Sequence, residues 1–282
     1  MISTLDADRD SVAAAEAAGV QVRELSALAE LDQVYRLYDA IWRPDPKNPP
    51  VTTELLRALT KAGNYVGGAF DGDELIGACV GFFEAPATVA MHSHVAGVSG
   101  AARGRNVGFA LKLHQRAWAL RRGVTAISWT FDPLIRRNAY FNVVKLGARP
   151  AEYLPNFYGQ MEDGINNGDD SDRLLVRWQL DTPEVGEAAA GRPSPVVVSS
   201  LPGATVALGR VEDGRPVLGS GSDEGPLLVA VPADAEGLRS TDPGVAKDWR
   251  LAVREVLGGL LADGAQVTGF DRAGWYVVER TV

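Results

Sequence analysis

The 282-residue sequence has one cysteine, Cys79, and three histidines. A single cysteine excludes an internal disulfide and any cysteine-rich zinc site. No window approaches the roughly 18 uninterrupted apolar residues of a membrane-spanning helix. Met1 to Asp10 is acidic and polar, without the basic and then apolar stretches of a secretory signal. Positive charge is scarce too. The formal charge is −8, whereas nucleic-acid binding needs a basic footprint. Only 5 of the 28 cations are lysine, and Ala, Gly and Val are abundant, which suits a high-GC bacterial genome. These absences set an expectation of a cytoplasmic protein with no metal, nucleic-acid or membrane partner. The content of 46% hydrophobic and 23% charged residues is ordinary for a globular chain with room for one large domain or two smaller ones.

Against this acidic background, arginines gather at Arg103, Arg105, Arg116, Arg121 and Arg122. A local positive patch on an acidic protein suits a small polyanion better than a DNA backbone. The surrounding stretch is the most informative in the chain. Met91 to Val98 is apolar and alternating, so it reads as a strand. Ser99 to Asn106 is rich in Gly, Ala and Arg, and an amphipathic helical pattern runs from Val107 to Arg122. A helix start exposes unpaired N–H groups at the positive end of its dipole. Small residues let the backbone come close, so such a turn can cradle a phosphate or pyrophosphate.

The rest of the chain alternates between both periodicities. Asp10 to Ala18 reads as a short helix and Val20 to Leu25 as a strand. Ser26 stands where it would cap a helix through Ile41, and Thr52 or Thr53 where it would cap a helix from Glu54 to Ala62. Tyr65 to Phe70 and Glu74 to Phe83 form a hairpin across Asp71-Gly72-Asp73. Val124 to Phe131 is a strand, Ile135 to Lys145 a helix, and Arg149 to Leu154 and Arg173 to Leu180 are strands. This order predicts an α/β (α+β) fold: a mixed, mostly antiparallel sheet with helices on both faces, over residues 1–182. Residues 183–198 read as a linker, and 199–282 as a smaller α/β unit with a helix from Asp242-Pro243 to Leu261. That unit could pack, dimerise or close one side of a site, which leaves a homodimer open. Trp249, Arg250 and Arg254 are placed either against the first domain or at a subunit interface.

Gly97 to Gly147 resembles the core of the GNAT superfamily of acyl-CoA-dependent acyltransferases. The family signature stands as Arg105-Asn106-Val107-Gly108-Phe109-Ala110, with Arg103-Gly104 upstream. A second motif is Ala139 with Lys145-Leu146-Gly147-Ala148. The run Phe131-Asp132-Pro133-Leu134, with Arg137-Asn138-Ala139 and Asn142, is similar to a poorly characterised bacterial subgroup with an added C-terminal region. The resemblance implies acetyl-CoA or another acyl-CoA as co-substrate. It implies pyrophosphate contacts from Arg103 to Ala110, an oxyanion contact from the Val98 backbone and a further contact from Asn138. Two positions depart from the pattern. Asn106 stands where glycine is frequent, and Val143 where a general-acid tyrosine is frequent.

Amine acylation needs a base with a pKa near 7. His92 and His94 are two apart on the strand leading to the loop, so alternation places them on one face with Ala96 and Val98. His94 is the nearer candidate, Glu84 an alternative base, and Asp132 either a site carboxylate or the cap of the following helix. Tyr140 approaches the face of Val143 and His114 is structural. Tyr153, Asn156, Phe157 and Tyr158 either line the acceptor pocket or cover the core. Cys79 is mid-strand and away from the loop, which disfavours a covalent cysteine route. The expected activity is direct acyl transfer from acyl-CoA to an amine of a small molecule. The alternatives are a protein that converts the acyl-CoA itself, for example by decarboxylation, and a non-catalytic acyl-CoA-binding module.

Overall fold

Alternation of small and apolar residues builds a central meander. β2 (Tyr65–Asp71), β3 (Glu74–Phe83) and β4 (Ala90–Val98) pair in sequence order, and Gly72 at φ 57° supplies the first turn. The protein is described by a computed structural model over residues 4–44, 49–159, 169–221 and 224–280. Before the meander come α1 (Thr4–Ala18), β1 (Gln21–Glu24), α2 (Leu28–Trp42) and α3 (Thr53–Lys61). After it come α4 (Val107–Arg121), β5 (Ala126–Phe131), α5 (Arg136–Ala139), a π-helical turn (Tyr140–Lys145), β6 (Arg149–Leu154) and β7 (Arg173–Gln179). The sheet has the order β1-β2-β3-β4-β5-β7-β6. Pairs β1–β2, β2–β3, β3–β4 and β6–β7 are antiparallel, and β4–β5 is parallel. This is the mixed, mostly antiparallel sheet expected from the element order.

A second sheet of five strands has the order β11-β12-β10-β8-β9. Its strands are β8 (Thr205–Arg210), β9 (Pro216–Leu218), β10 (Leu227–Ala230), β11 (Gln266–Asp271) and β12 (Trp275–Glu279). The other elements are α6 (Pro183–Ala189), α7 (Ala235–Thr241), and α8 (Pro243–Val253), which continues through a π turn into α9 (Gly259–Ala262). The chain divides into two compact units, Met1–Trp129 with Trp178–Gly191, and Thr130–Arg177 with Arg192–Val282. The division therefore passes through β5 and β7 and not only through residues 183–198, and β6 groups with the C-terminal residues.

In the first unit, one face of the meander packs on α2 and α3 through Leu25, Leu31, Val34, Tyr38, Leu56, Val66 and Val80, all buried. The other face carries α4 through Tyr65, Trp118 and His114. Arg116 is fully buried in α4. It donates to the Leu180 carbonyl at 3.0 Å and pairs with Asp10 at 3.2 Å. That pairing explains why α1 starts at Thr4, six residues before the expected Asp10: its acidic first half carries Asp8 and Asp10, which face Arg121 and Arg116.

Other boundaries differ for local reasons. Ser26 does not cap α2. The Glu30 carboxylate folds back to accept from the Ser26 and Ala27 amides, at 3.4 and 3.2 Å. Thr52 caps α3 as expected, accepting from Leu55 N at 3.2 Å. The expected linker contains α6, with Pro183 in its first turn and Thr182 accepting from Val185 N. Asp234 caps the unexpected α7 through Gly237 N at 2.9 Å.

His114 Nδ1 lies 2.8 Å from Tyr65 Oη, and burial is the main force holding its pKa down to about 4. In the unfolded chain the imidazole titrates near 6.5. Its contribution to stability is therefore complete above about pH 6.5 and is lost as pH falls toward 4, because the unfolded state takes up the proton first. The melting-temperature difference between wild type and His114→Gln should shrink from pH 7 to pH 4.5. A constant difference over that range would refute the buried neutral imidazole.

Candidate active site

A slip in β4 decides which side chains share a face. β3 and β4 pair at Val80↔Val95 and next at Gly81↔Ser93, so His94 is an extra residue on β4. Such a bulge shifts the alternation by one. His92 and His94 still lie together, both against Phe82 with ring centroids 5.3 and 5.9 Å away. Val98 does not join them as regular alternation predicts. It turns to α4, its side chain 3.8 Å from where a Cβ on Gly108 would sit, while a Cβ on Gly97 would meet Trp42 and Ile41 of α2.

The parallel ladder between β4 and β5 holds only Ala90↔Ala126, Met91↔Ile127 and His92↔Ser128. Among the described residues, no pairing joins β4 to β5 beyond His92. The β5-facing backbone of β4 from Ser93 to Val98 is thus an unpaired sheet edge, which an extended amide-bearing ligand can join.

That edge ends in the loop singled out from sequence. Asn106 sits in the left-handed region at φ 62°, and Gly104 has φ 85°. Asparagine is among the few non-glycine residues that accept this conformation, so the departure at Asn106 preserves the backbone shape. Val107, Gly108, Phe109 and Ala110 form the first turn of α4. The amides of Phe109 and Ala110 reach the Asn106 carbonyl at 2.9 and 3.1 Å. Among the described residues, no acceptor lies on the amides of Gly104, Val107 and Gly108. Two free N–H groups at the start of α4, with a third in the loop before it, are suited to an anion.

The basic patch is smaller than the sequence suggests. Arg116 and Arg121 are paired with Asp10 and Asp8, and Arg122 lies over the Trp118 ring. Arg105 also faces the protein. It pairs with Asp71 at 2.6 Å and donates to the Ala18 and Gly19 carbonyls at 3.4 and 3.2 Å. These contacts make it a clamp behind the loop. Arg103 is exposed and, among the described residues, its guanidinium has no carboxylate partner.

At the last rung of the ladder, three polar side chains form a chain. Ser128 donates to Glu84 Oε1, and His92 Nδ1 lies 3.2 Å from Ser128 Oγ. With the Ser128 proton directed at the carboxylate, Ser128 Oγ accepts from His92 Nδ1–H, which leaves the Nε2 lone pair free. Burial and the neighbouring His94 hold the His92 pKa below its ordinary value, while Glu84 opposes them. Neutral His92 is thus the base-competent form near pH 7. His94, the expected nearer base, is exposed at the bulge and outside this chain.

The remaining candidates lie in the second unit. Asp132 is buried, bonded to Arg250 at 2.8 and 3.0 Å and also to Arg239, and it caps the next turn through Leu134 N at 3.0 Å. Despite burial, these partners hold its carboxyl well below the usual range. It is the centre of an ion-pair cluster and caps the following turn, the second of the two readings its sequence position allows. Asp169 completes the cluster with both arginines, and Arg254 pairs with Asp170 and Asp172. Arg250 and Arg254 therefore serve this unit's interior, as does buried Trp249, whose Nε1 donates to the Gly214 carbonyl. Tyr140 lies under the Arg272 guanidinium, 4.7 Å from its ring centroid, and so faces the β11–β12 turn. Asn138 is half-buried in α5, and Val143 is buried. Tyr153 is buried on Asp172 at 2.7 Å, while Phe157 and Tyr158 are exposed.

Two residues escaped the sequence reading. Ser128 looks like an ordinary polar position on a buried strand. Lys112 lies on the inner side of α4, where a lysine is unexpected, and that misplacement was the available signal.

No family model and no curated protein matches the sequence. Several solved structures are similar to it. One is a candidate acetyltransferase of the GNAT family from Desulfovibrio desulfuricans, 14% identical with a TM-score of 0.47, covering 57% of this chain and 99% of that one. Another is an N-acetyltransferase from Staphylococcus aureus Mu50, 15% identical with a TM-score of 0.45, covering 57% and 98%. A third is a candidate acetyltransferase from Salmonella typhimurium with its cofactor acetyl-CoA, 18% identical with a TM-score of 0.47, covering 58% and 94%. Each likeness spans a little over half of this chain.

Three mutational outcomes follow from the geometry. Arg105→Ala should destabilise the fold by about 1 kcal/mol, whereas Arg103→Ala should leave the melting temperature unchanged. Asp132→Ala should cost about 3–5 kcal/mol of stability in denaturant titration, because it strands buried arginines. A fully stable Asp132→Ala would contradict the ion-pair assignment.

Proposed function

We propose that the first unit binds an acyl-CoA and transfers a short acyl group, such as acetyl, directly to an amine of a small molecule. One observation carries this reading: the β4–β5 ladder stops at His92↔Ser128 and leaves an open strand edge that leads into an anion-ready turn. Coenzyme A has the matching chemistry, an extended amide-bearing arm that ends in a pyrophosphate. The free amides of Gly104, Val107 and Gly108 would receive the pyrophosphate, and Arg103 would add a charge. The open edge of β4 would pair with the arm.

His92 is the residue assigned to the proton. Its Nε2 takes a proton from the acceptor ammonium, and Ser128 with Glu84 holds Nδ1–H and stabilises the imidazolium that results. The freed amine nitrogen forms a bond to the thioester carbon. The carbon–sulfur bond then breaks, and its electron pair leaves with sulfur. The nitrogen's second proton passes to solvent. A backbone N–H of β4 near the bulge would hold the oxygen on which charge develops. Val143 offers no hydroxyl to protonate the sulfur, and this favours a second reading, conversion of acyl-CoA without an acceptor.

Thiol release measured over a panel of amines separates the two. Release that depends on an added amine supports transfer, and release without one supports conversion of the acyl-CoA itself. In wild type, calorimetry should detect coenzyme A binding, and Gly108→Glu should weaken it at least tenfold by placing a carboxylate at the pyrophosphate. Retained affinity in that variant would remove the cofactor assignment. On an active pair of substrates, His92→Gln should lower kcat about 100-fold, the scale of a lost general base, with Ser128→Ala falling between it and wild type.

A further inference from the structure

Lys112 is 4% exposed, in the interior of the first unit. Its Nζ donates to Ser93 Oγ at 2.9 Å and to Gln115 Oε1 at 3.1 Å, and lies 3.7 Å from the centroid of the Trp129 ring. Among the described residues it has no carboxylate partner. Ser93 and Trp129 are the residues that follow the last rung, His92↔Ser128, on β4 and β5 respectively. The ammonium thus bridges the two strands at the point where their ladder stops. Around it stand Cys79 from β3, whose Sγ is 3.6 Å from Ser93 Oγ, then Ser93, Trp129 and Gln115, while His92 lies on the opposite face of β4 and feels the charge through the strand.

A buried ammonium without a counter-ion is costly. Methionine would fill the same space without that cost, so packing does not account for the lysine. Burial lowers its pKa to about 8, which leaves it mainly charged at neutral pH.

We propose that Lys112 is a charged positioning residue of the acyl site, whose ammonium fixes the opening between β4 and β5 and stabilises the negative charge on the departing thiolate. This rests on the acyl-CoA reading above. The carbon–sulfur electron pair leaves with sulfur as thiolate, Lys112 keeps its own proton, and solvent later protonates the sulfur. A positive charge near the sulfur stabilises the thiolate over the thiol and so lowers the thiol pKa.

Bound coenzyme A tests this without knowledge of the acceptor, by ultraviolet titration of its thiolate on the full-length protein. Below pH 8, where Lys112 keeps its proton, the thiolate fraction of bound coenzyme A in wild type should exceed that of free coenzyme A about tenfold, a shift of about 1 unit. Lys112→Met should bind coenzyme A, melt at the same or a higher temperature, and lose the shift. A wild-type thiol that titrates like free coenzyme A would overturn the proposal on its own, even if the variant failed to fold. Equal shifts in wild type and Lys112→Met would also overturn it, while leaving coenzyme A binding intact. Failure of wild type to bind coenzyme A would instead remove the acyl-CoA reading and this proposal with it.

Discussion

Three rungs of parallel ladder hold β4 against β5, and the end of that ladder is the constraint on which the candidate site depends. If the pairing ran on to Val98, the strand edge would be closed. Because it stops at His92↔Ser128, the last rung carries the polar chain to Glu84 and the next residue on each strand touches Lys112. The bulge at His94 then turns Val98 toward α4 and its first turn. His92, the open edge and the turn with its free amides thus follow one another along the chain, from β4 into the first turn of α4.

Buried charge is handled in two different ways. In the second unit, Asp132 and Asp169 meet Arg239 and Arg250, so each charge has an opposite partner. Such a cluster holds loops and helices in register, and it suppresses the basicity of its carboxylates. In the first unit, Lys112 has hydrogen bonds and an aromatic face but, among the described residues, no carboxylate. The first arrangement is self-contained, and the second leaves the ammonium uncompensated by any carboxylate among the described residues.

Much of this architecture was legible in the sequence, because its signals are local. Periodicity located the meander and α4, Asp71-Gly72-Asp73 located its turn, and small residues with Arg103 located the loop. What escaped depends on contacts distant in sequence. The bulge at His94 arises from the pairing of β4 with β3, so simple alternation misassigned the face of Val98. Arg105 and Asp132 carry residue types that suit a site, yet their partners, Asp71 and Arg250, lie 34 and 118 residues away. His92 and Glu84 were visible as candidates, but Ser128, which joins them, lies on another strand. Asn106 was visible as a departure, and only its backbone angle showed that the substitution conserves shape.

The Arg105 clamp has a kinetic consequence. It ties the loop to the Ala18–Gly19 turn and to Asp71 at the tip of the β2–β3 hairpin, contacts that span 87, 86 and 34 residues of chain. Contacts of such long sequence separation form slowly, because the intervening chain must first be ordered. The loop therefore takes up its anion-ready conformation only once both tethers are home. During refolding, ligand affinity should be among the last properties of the first unit to return, after its sheet and helices are already in place.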